Sequence, residues 1–460
     1  MKLRTSETSG DIIRLGPDRS VNRPPNTTGE NAGLIGRWWT RVEAREIKCV
    51  VWAFAWFYFI LLSYFTIRPI RETMGIEGGT EKLPHLFLIT FLAMLVAVPI
   101  YSAVVARLPR RWLVRVVYHF FAGCLLLFWS LLQVESELVH VWTARVIFIW
   151  INIFALFATS VFWSVLADLF RSNQAKRLFG LIAAGGTLGA ITGSFLTSIL
   201  ATRLSTDSLL LIPAALLELG LACAWRLELN SHHLLDPDDV DTSVAARSLS
   251  EKSTGGGLWT GITQVFSSSY LASICLFLFL IQAFATQLYL QQADIVNHAI
   301  ELREARTAFF AKIDLGTQLL TLLLQTTVAG AILRRLGISV ALSVLPLIYM
   351  FGFAALASAP TLGVLMVIMV CTRAGAYGIT VPSREVLFTV VSREQKYKSK
   401  SFIDTVVLRG GDALSSQLFG ALQKFGASLT AMNWYAVPLT TVWLLIAWRL
   451  GRSQERRAKS

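Results

Sequence analysis

The chain has 460 residues, of which 54% are hydrophobic and only 15% charged, with a formal net charge of +13. Apolar runs of about 20 residues, long enough to cross a bilayer core, recur along nearly its whole length, which excludes an ordinary soluble protein. The positive balance does not imply nucleic acid, because the basic residues gather in alternate loops between apolar runs, as they do when they set membrane orientation.

In chain order, residues 1–46 are polar, with Pro24-Pro25 and scattered arginines but no apolar core segment. They read as a disordered cytoplasmic tail and not as a cleaved signal peptide. Twelve spans follow, the first six near 48–67, 85–106, 113–132, 142–166, 178–200 and 208–227. The second six fall near 270–292, 309–333, 339–358, 361–382, 402–423 and 434–450. This divides the chain into a six-helix half at 47–228, a cytoplasmic linker at 229–269, a second six-helix half at 270–450 and a cytoplasmic tail at 451–460. The linker carries Asp236, Asp238, Asp239 and Asp241 before Gly255-Gly256-Gly257, the composition of a flexible connection. Arg107, Arg110, Arg111 and Arg115 fill the loop after span 2, Arg171, Lys176 and Arg177 that after span 4, and Arg334 and Arg335 that after span 8. The opposite loops are poor in lysine and arginine, so both termini are expected in the cytoplasm of a bacterium, with the chain in its inner membrane.

The stretch from Phe162 to Gly193 reads as one helix end, a short charged hinge and the start of span 5. Gly185, Gly189 and Gly193 recur there every fourth residue and share a helix face that another backbone can approach closely. The second half echoes this stretch. Gln395-Lys396-Tyr397-Lys398 stands where Gln174-Ala175-Lys176-Arg177 stood, and Gly410-Gly411 follows as Gly185-Gly186 did. The echo implies two halves built alike.

Charges within a bilayer need a partner, a wet cavity or a route to the surface. Span 1 ends with Arg68 and Arg71 one turn apart around Pro69, which is expected to break the helix. Both arginines are candidates for substrate binding, and snorkelling to the outer surface is the competing reading. Span 11 places Thr405, Arg409, Asp412 and Ser416 on one stripe with Asp404 beside it. Arg409 is either a substrate contact or the internal ion-pair partner of Asp412. Span 8 carries Lys312 and Asp314 near its expected outer end, and span 10 carries Arg373. Asp404, Asp412, Lys312 and Asp314 are the candidates for coupling or ion pairing. Span 7 is dense in polar groups, among them Gln282, Thr286, Gln287, Tyr289, Gln291 and Gln292, which suits a cavity lining or interhelical hydrogen bonds. Of these, Gln287 and Tyr289 join the substrate-binding candidates.

No G-x-x-x-x-G-K-[ST] loop, H-E-x-x-H motif or Cys/His cluster of ligand spacing is present, so neither an enzyme nor a cofactor or metal site is expected. The five cysteines (Cys49, Cys124, Cys223, Cys275, Cys371) lie in or at the ends of apolar runs and read as small buried hydrophobes.

Six spans, a linker and six spans is the layout of major facilitator transporters, whose halves rock about a central site. Their basic loop after span 2 survives here in part, as Ala106-Arg107-Leu108-Pro109-Arg110-Arg111. The segments YFTIRPIRET at Tyr64, FW…RSNQAKRLFGL at Phe162 and KSKSFIDTVVLRGG at Lys398 resemble the ATP/ADP translocases of plastids and intracellular bacteria. More closely, they resemble the translocase-related facilitators of free-living bacteria. The resemblance implies nucleotide exchange through basic residues of the first and eleventh helices, with Arg71 at the position of the first lysine. Asp412 stands where the eleventh-helix lysine belongs, with Arg409 one turn away. Asn152 and Tyr289 lie near the positions of the family's two carboxylates.

The sequence thus predicts an all-α integral membrane protein with twelve transmembrane helices in two six-helix halves, a monomer working by alternating access. Its expected partners are the lipid bilayer and a small-molecule substrate, here an anionic, phosphorylated metabolite with ATP/ADP exchange as the named candidate. Proton-coupled transport of an unrelated solute, with Asp404 or Asp412 titrating, is the alternative. A transport-inactive sensor or scaffold is a third reading.

Overall fold

The computed structural model describes residues 42–231, 268–391, 399–400 and 402–458, without the side chains of residues 106, 110, 172, 404 and 405. Nearly all of the expected tail and linker, the Gln395 repeat and the side chain of Asp404 therefore lie outside the described residues.

Among the described residues the chain is helical and contains no strand. The first half comprises α1 (Ile47–Glu77), α2 (Leu83–Arg107), α3 (Arg110–Leu131), α4 (Glu137–Leu169), α5 (Ser172–Leu200) and α6 (Leu211–Asn230). The second comprises α7 (Ser269–Ala299), α8 (303–336), α9 (Gly337–Ser358), α10 (362–387), α11 (403–424) and α12 (Leu429–Arg457). Among the described residues ten stretches are long and apolar enough to cross a membrane. One of them, Arg303–Ser358, contains both α8 and α9, which part at Gly337 with a φ of +84°. That left-handed geometry suits glycine. The remaining helix, α11, is too polar to register by apolarity alone.

Side-chain caps mark several starts. Ser268 accepts from the Leu271 amide, Thr361 from Val364 and Ser428 from Ala431. At the start of α5 the Gln174 side chain accepts from the Arg171 amide, which satisfies the N-cap donor from within the first turn.

Two expectations about helix ends are corrected. Helix α1 does not break at Pro69 but runs ten residues past the expected end, to Glu77, with Pro69 inside it. The residues expected as a tail from 451 continue α12 to Arg457.

Close backbone approach organises the first half. A Cβ at Gly185 would lie 2.5 Å from the Phe54 carbonyl oxygen and one at Gly193 2.7 Å from that of Leu62, while Gly189 faces the Tyr58 carbonyl even more tightly. The glycine stripe of α5 is therefore pressed against the backbone of α1. In the second half Gly451 of α12 lies against the Ser339 backbone of α9. An aromatic core of Phe284, Tyr349, Phe353 and Trp443 fills the space beside them, Phe284 stacking on Trp443 at 5.3 Å.

The halves meet at the end of the bundle remote from the start of α1 and the end of α12. Arg303 of α8 forms ion pairs with Glu77 at 2.6 Å and Asp207 at 2.7 Å, and Thr307 shares a 2.8 Å hydrogen bond with Thr73. Gln417 of α11 donates to the Pro84 carbonyl at 2.7 Å. These contacts join the halves at that end.

Candidate functional site

A cavity of about 590 Å³ lies between the halves, lined by residues of α1, α2, α4, α7, α9, α10 and α11. Five arginines line it, Arg68, Arg71, Arg373, Arg384 and Arg409, and among its lining residues the one carboxylate is Asp412. Tyr64, Tyr289, Tyr349 and Tyr377 contribute to the same wall.

Behind that wall two buried carboxylates hold the cations. Asp314 of α8, its side chain 1% exposed, pairs with Arg68 of α1 at 3.0 Å and accepts from Arg373 of α10 at 3.0 Å. Glu72, 2% exposed, accepts from Arg71 at 2.8 Å. Desolvating such charges is costly, so each carboxylate requires its guanidinium, and the two sets keep each other in place. Arg71 also reaches the Asn152 amide oxygen at 3.5 Å and lies over the rings of Phe148 (5.3 Å) and Tyr289 (5.7 Å). Arg373 additionally donates to Gln292 at 3.2 Å.

The polar face of α7 serves α11. Gln282 donates to Asp412 at 2.9 Å and Thr286 does so at 3.1 Å. Asp412 thus takes its hydrogen bonds from α7, while the Arg409 guanidinium, one turn away on α11 and lining the same cavity, acts on it through charge. The cross-helix donors add to that intrahelical attraction.

The structure brings together Arg68, Arg71, Arg373, Arg409, Tyr289, Asp314 and Asp412 and leaves others apart. Arg68 is buried and Arg71 half-buried within a continuous helix; both line the cavity and do not snorkel outward. Gln287 does not line the cavity; it is buried and donates to the Met432 carbonyl of α12 at 3.3 Å. Lys312 is exposed, since two residues along a helix turns it away from the face that Asp314 presents. Asp314 itself lies midway along Arg303–Leu323 and not at an outer end. Gly185, Gly189 and Gly193 pack α5 on α1, away from the cavity. Sequence reasoning missed Glu72 and Arg384. Glu72 carried a signal, standing one turn beyond Arg68, and Arg384 stood as a charge at the end of an apolar run.

Residues 49–399 match the Major Facilitator Superfamily. The chain belongs to this superfamily. No curated protein matches it significantly. Among solved structures, this facilitator resembles a POT family transporter in complex with 5-aminolevulinic acid, at a TM-score of 0.59 and 12% identity over 89% of this chain and 96% of the other. It also resembles a peptide transporter POT in complex with sulfate (TM-score 0.56, 13% identity, 88% and 95% covered). A bacterial homologue of the iron transporter ferroportin in an inward-facing state is similar to the same degree (TM-score 0.56, 12% identity, 92% and 99%). At such identities the likeness is one of fold. The facilitator is therefore a multi-pass membrane protein of a transporter family, and its relatives by structure are transporters and not enzymes.

Proposed function

We propose that this facilitator carries an anionic, phosphorylated metabolite by alternating access, with nucleotides of the ATP/ADP type as the named candidate and exchange as the mode. The observation that carries the reading is the cavity wall, where five guanidiniums from both halves face one carboxylate. Guanidinium groups meet phosphate oxygens through paired hydrogen bonds, and substrate contacts from both halves let one gate close as the other opens. A volume of about 590 Å³ suits a small metabolite, and the tyrosine faces offer a surface for a base. The carrier acts as a monomer in a bacterial inner membrane with both termini cytoplasmic. Reporter fusions after Val139 and after Arg247 are expected to give opposite signals, and equal signals would overturn that orientation.

Ligand-induced thermal stabilisation of purified protein across a neutral nucleoside, AMP, ADP and ATP tests the substrate class. Stabilisation should grow with each phosphate and shrink in Arg409→Ala and Arg71→Ala. Absence of any shift with phosphorylated ligands would sink the reading.

A second reading, proton-coupled transport of another solute, is favoured by Asp412, which lines the cavity with amide and hydroxyl partners and no paired guanidinium. It predicts uptake that follows an imposed proton gradient and is lost in Asp412→Asn.

A further inference from the structure

We infer that Asp314 is a resident stand-in for the anionic group of the substrate, occupying Arg68 and Arg373 until an incoming anion takes its place. The inference rests on the anion-carrier reading and narrows it to one subsite and one displacement. Arg68 belongs to the first half and Arg373 to the second, and each sets its Nη1 3.0 Å from the same atom, Oδ1 of Asp314. Both guanidiniums line the cavity, at 10% and 15% side-chain exposure, while the carboxylate lies behind them at 1%. They therefore reach the buried carboxylate and the open space at once.

The second carboxylate oxygen, Oδ2, is buried without a hydrogen-bond partner. A carboxylate kept only for structure is expected to use both oxygens, because an unpartnered buried polar atom is costly. A parallel fork against either arginine would satisfy Oδ2. Instead two arginines from opposite halves converge on a single oxygen, an arrangement suited to gripping one oxyanion between them. One arm of that grip, Arg373, keeps a second partner when the carboxylate leaves, and the neighbouring Arg71 is neutralised separately. Arg373 donates through Nη2 to Gln292, which is 1% exposed, and Arg71 has its own counter-ion in Glu72 at 2.8 Å.

Asp314 ties α8 to α1 across the two halves. A phosphate entering the cavity brings more oxygens and at least equal charge, so it can take both guanidiniums and release α8. Exchanging one anion for another keeps the buried cations neutralised throughout, and the released Asp314 carboxylate, deprived of its counter-charges, takes up a proton from the water of the cavity.

The test is thermal unfolding of the purified full-length chain titrated with inorganic phosphate and with ATP, against chloride at matched ionic strength. Asp314→Asn should unfold at lower temperature than wild type without anion. It should also reach half-maximal anion stabilisation at a concentration about tenfold lower, because no resident group has to be displaced. Equal or higher half-saturation in the variant, with the wild type responding, would overturn the stand-in and leave the anion-carrier reading intact. No response of either protein to phosphate or ATP would overturn both. If Asp314→Asn does not yield folded protein, Arg373→Gln is compared with Arg373→Gln/Asp314→Asn, in which one charge of each sign is removed. The double variant should bind phosphate more tightly than the single one, and equal or weaker binding would overturn the inference.

Discussion

The two halves repeat one packing scheme with opposite chemistry. In the first, the glycine face of α5 meets the α1 backbone at Phe54, Tyr58 and Leu62, a contact with no room for any side chain. At the corresponding seam of the second, Gly411 of α11 meets side chains of α7, with a Cβ position 3.2 Å from the Gln282 Cβ. The next residue, Asp412, draws hydrogen bonds from Gln282 and Thr286. The first seam is dry and backbone-to-backbone; the second is polar and opens on the cavity. Among the described residues the π-helical turns also fall in the second half, at Leu324–Val328, Ile332–Leu336, Ala376–Thr380 and Ile403–Val407. Such turns gather at functional sites, and here Ala376, Tyr377 and Thr380 of one of them line the cavity. The comparison suggests a rigid half and an adaptable one sharing a single site.

Substitution of one glycine at each seam tests this most sharply. Gly189→Ala puts a methyl group into the Tyr58 carbonyl, where only backbone could give way. The expected cost is about 3 kcal/mol, at the upper end of overpacking penalties, and Gly189→Leu should prevent accumulation of folded protein. Gly411→Ala meets the Gln282 Cβ at 3.2 Å, a contact relieved by a shift of a few tenths of an ångström, so its cost should be about 1 kcal/mol, at the lower end of overpacking penalties. Thermal unfolding of the two alanine variants side by side decides, and equal losses would mean that the seams do not differ in stiffness.

A smaller effect probes the polar seam. Asp412→Ala removes the acceptor of both Gln282 and Thr286, leaving two donors against the cavity wall. The expected loss is about 1–3 kcal/mol, within the range for stranded polar groups. If the variant is as stable as wild type, water satisfies those donors and the seam owes little to Asp412.

How much of this was legible in the sequence differs between its parts. Most of the helices follow from apolar runs, whose lengths answer to bilayer thickness and need no tertiary information, whereas α11 is too polar to register that way. The glycine stripe was visible because small residues repeat at the helical period, although its partner, the α1 backbone, was not. The end of α1 was misread for a physical reason. Arg68, Arg71 and Glu72 resemble a polar exit from the membrane until Asp314, on a helix of the other half, supplies the counter-charge of Arg68, while Arg71 and Glu72 neutralise each other. The convergence of Arg68 and Arg373 on one oxygen likewise depends on three helices far apart in the chain, and local spacing carries no trace of it. Spacing told only part in α11, where Arg409 acts on Asp412 through charge, while the hydrogen bonds to the carboxylate come from α7, which no local pattern shows. Gln287 and Gln282 look alike in the sequence, and only the rotation of α7 sends the first to α12 and the second to the cavity.

The smallest stability effect concerns Asp412→Asn, and it separates the two transport readings. An asparagine in the same rotamer keeps an oxygen where Gln282 Nε2 and Thr286 Oγ1 now donate to Oδ1, so folding should lose less than about 1 kcal/mol. What changes is charge. The cavity wall then carries five guanidiniums without its one carboxylate, which should strengthen attraction for a phosphorylated anion at low salt, and the gain should fade as salt screens it. If Asp412 instead carries the proton of a coupled cycle, the amide can neither bind nor release it. Proton-driven uptake would then vanish while the protein stays folded. Measuring anion affinity at low and high salt, together with uptake under a proton gradient, on one well-folded variant gives opposite outcomes for the two mechanisms. Tighter anion binding with uptake retained would support the anion carrier, and lost gradient-driven uptake with unchanged anion affinity would support proton coupling.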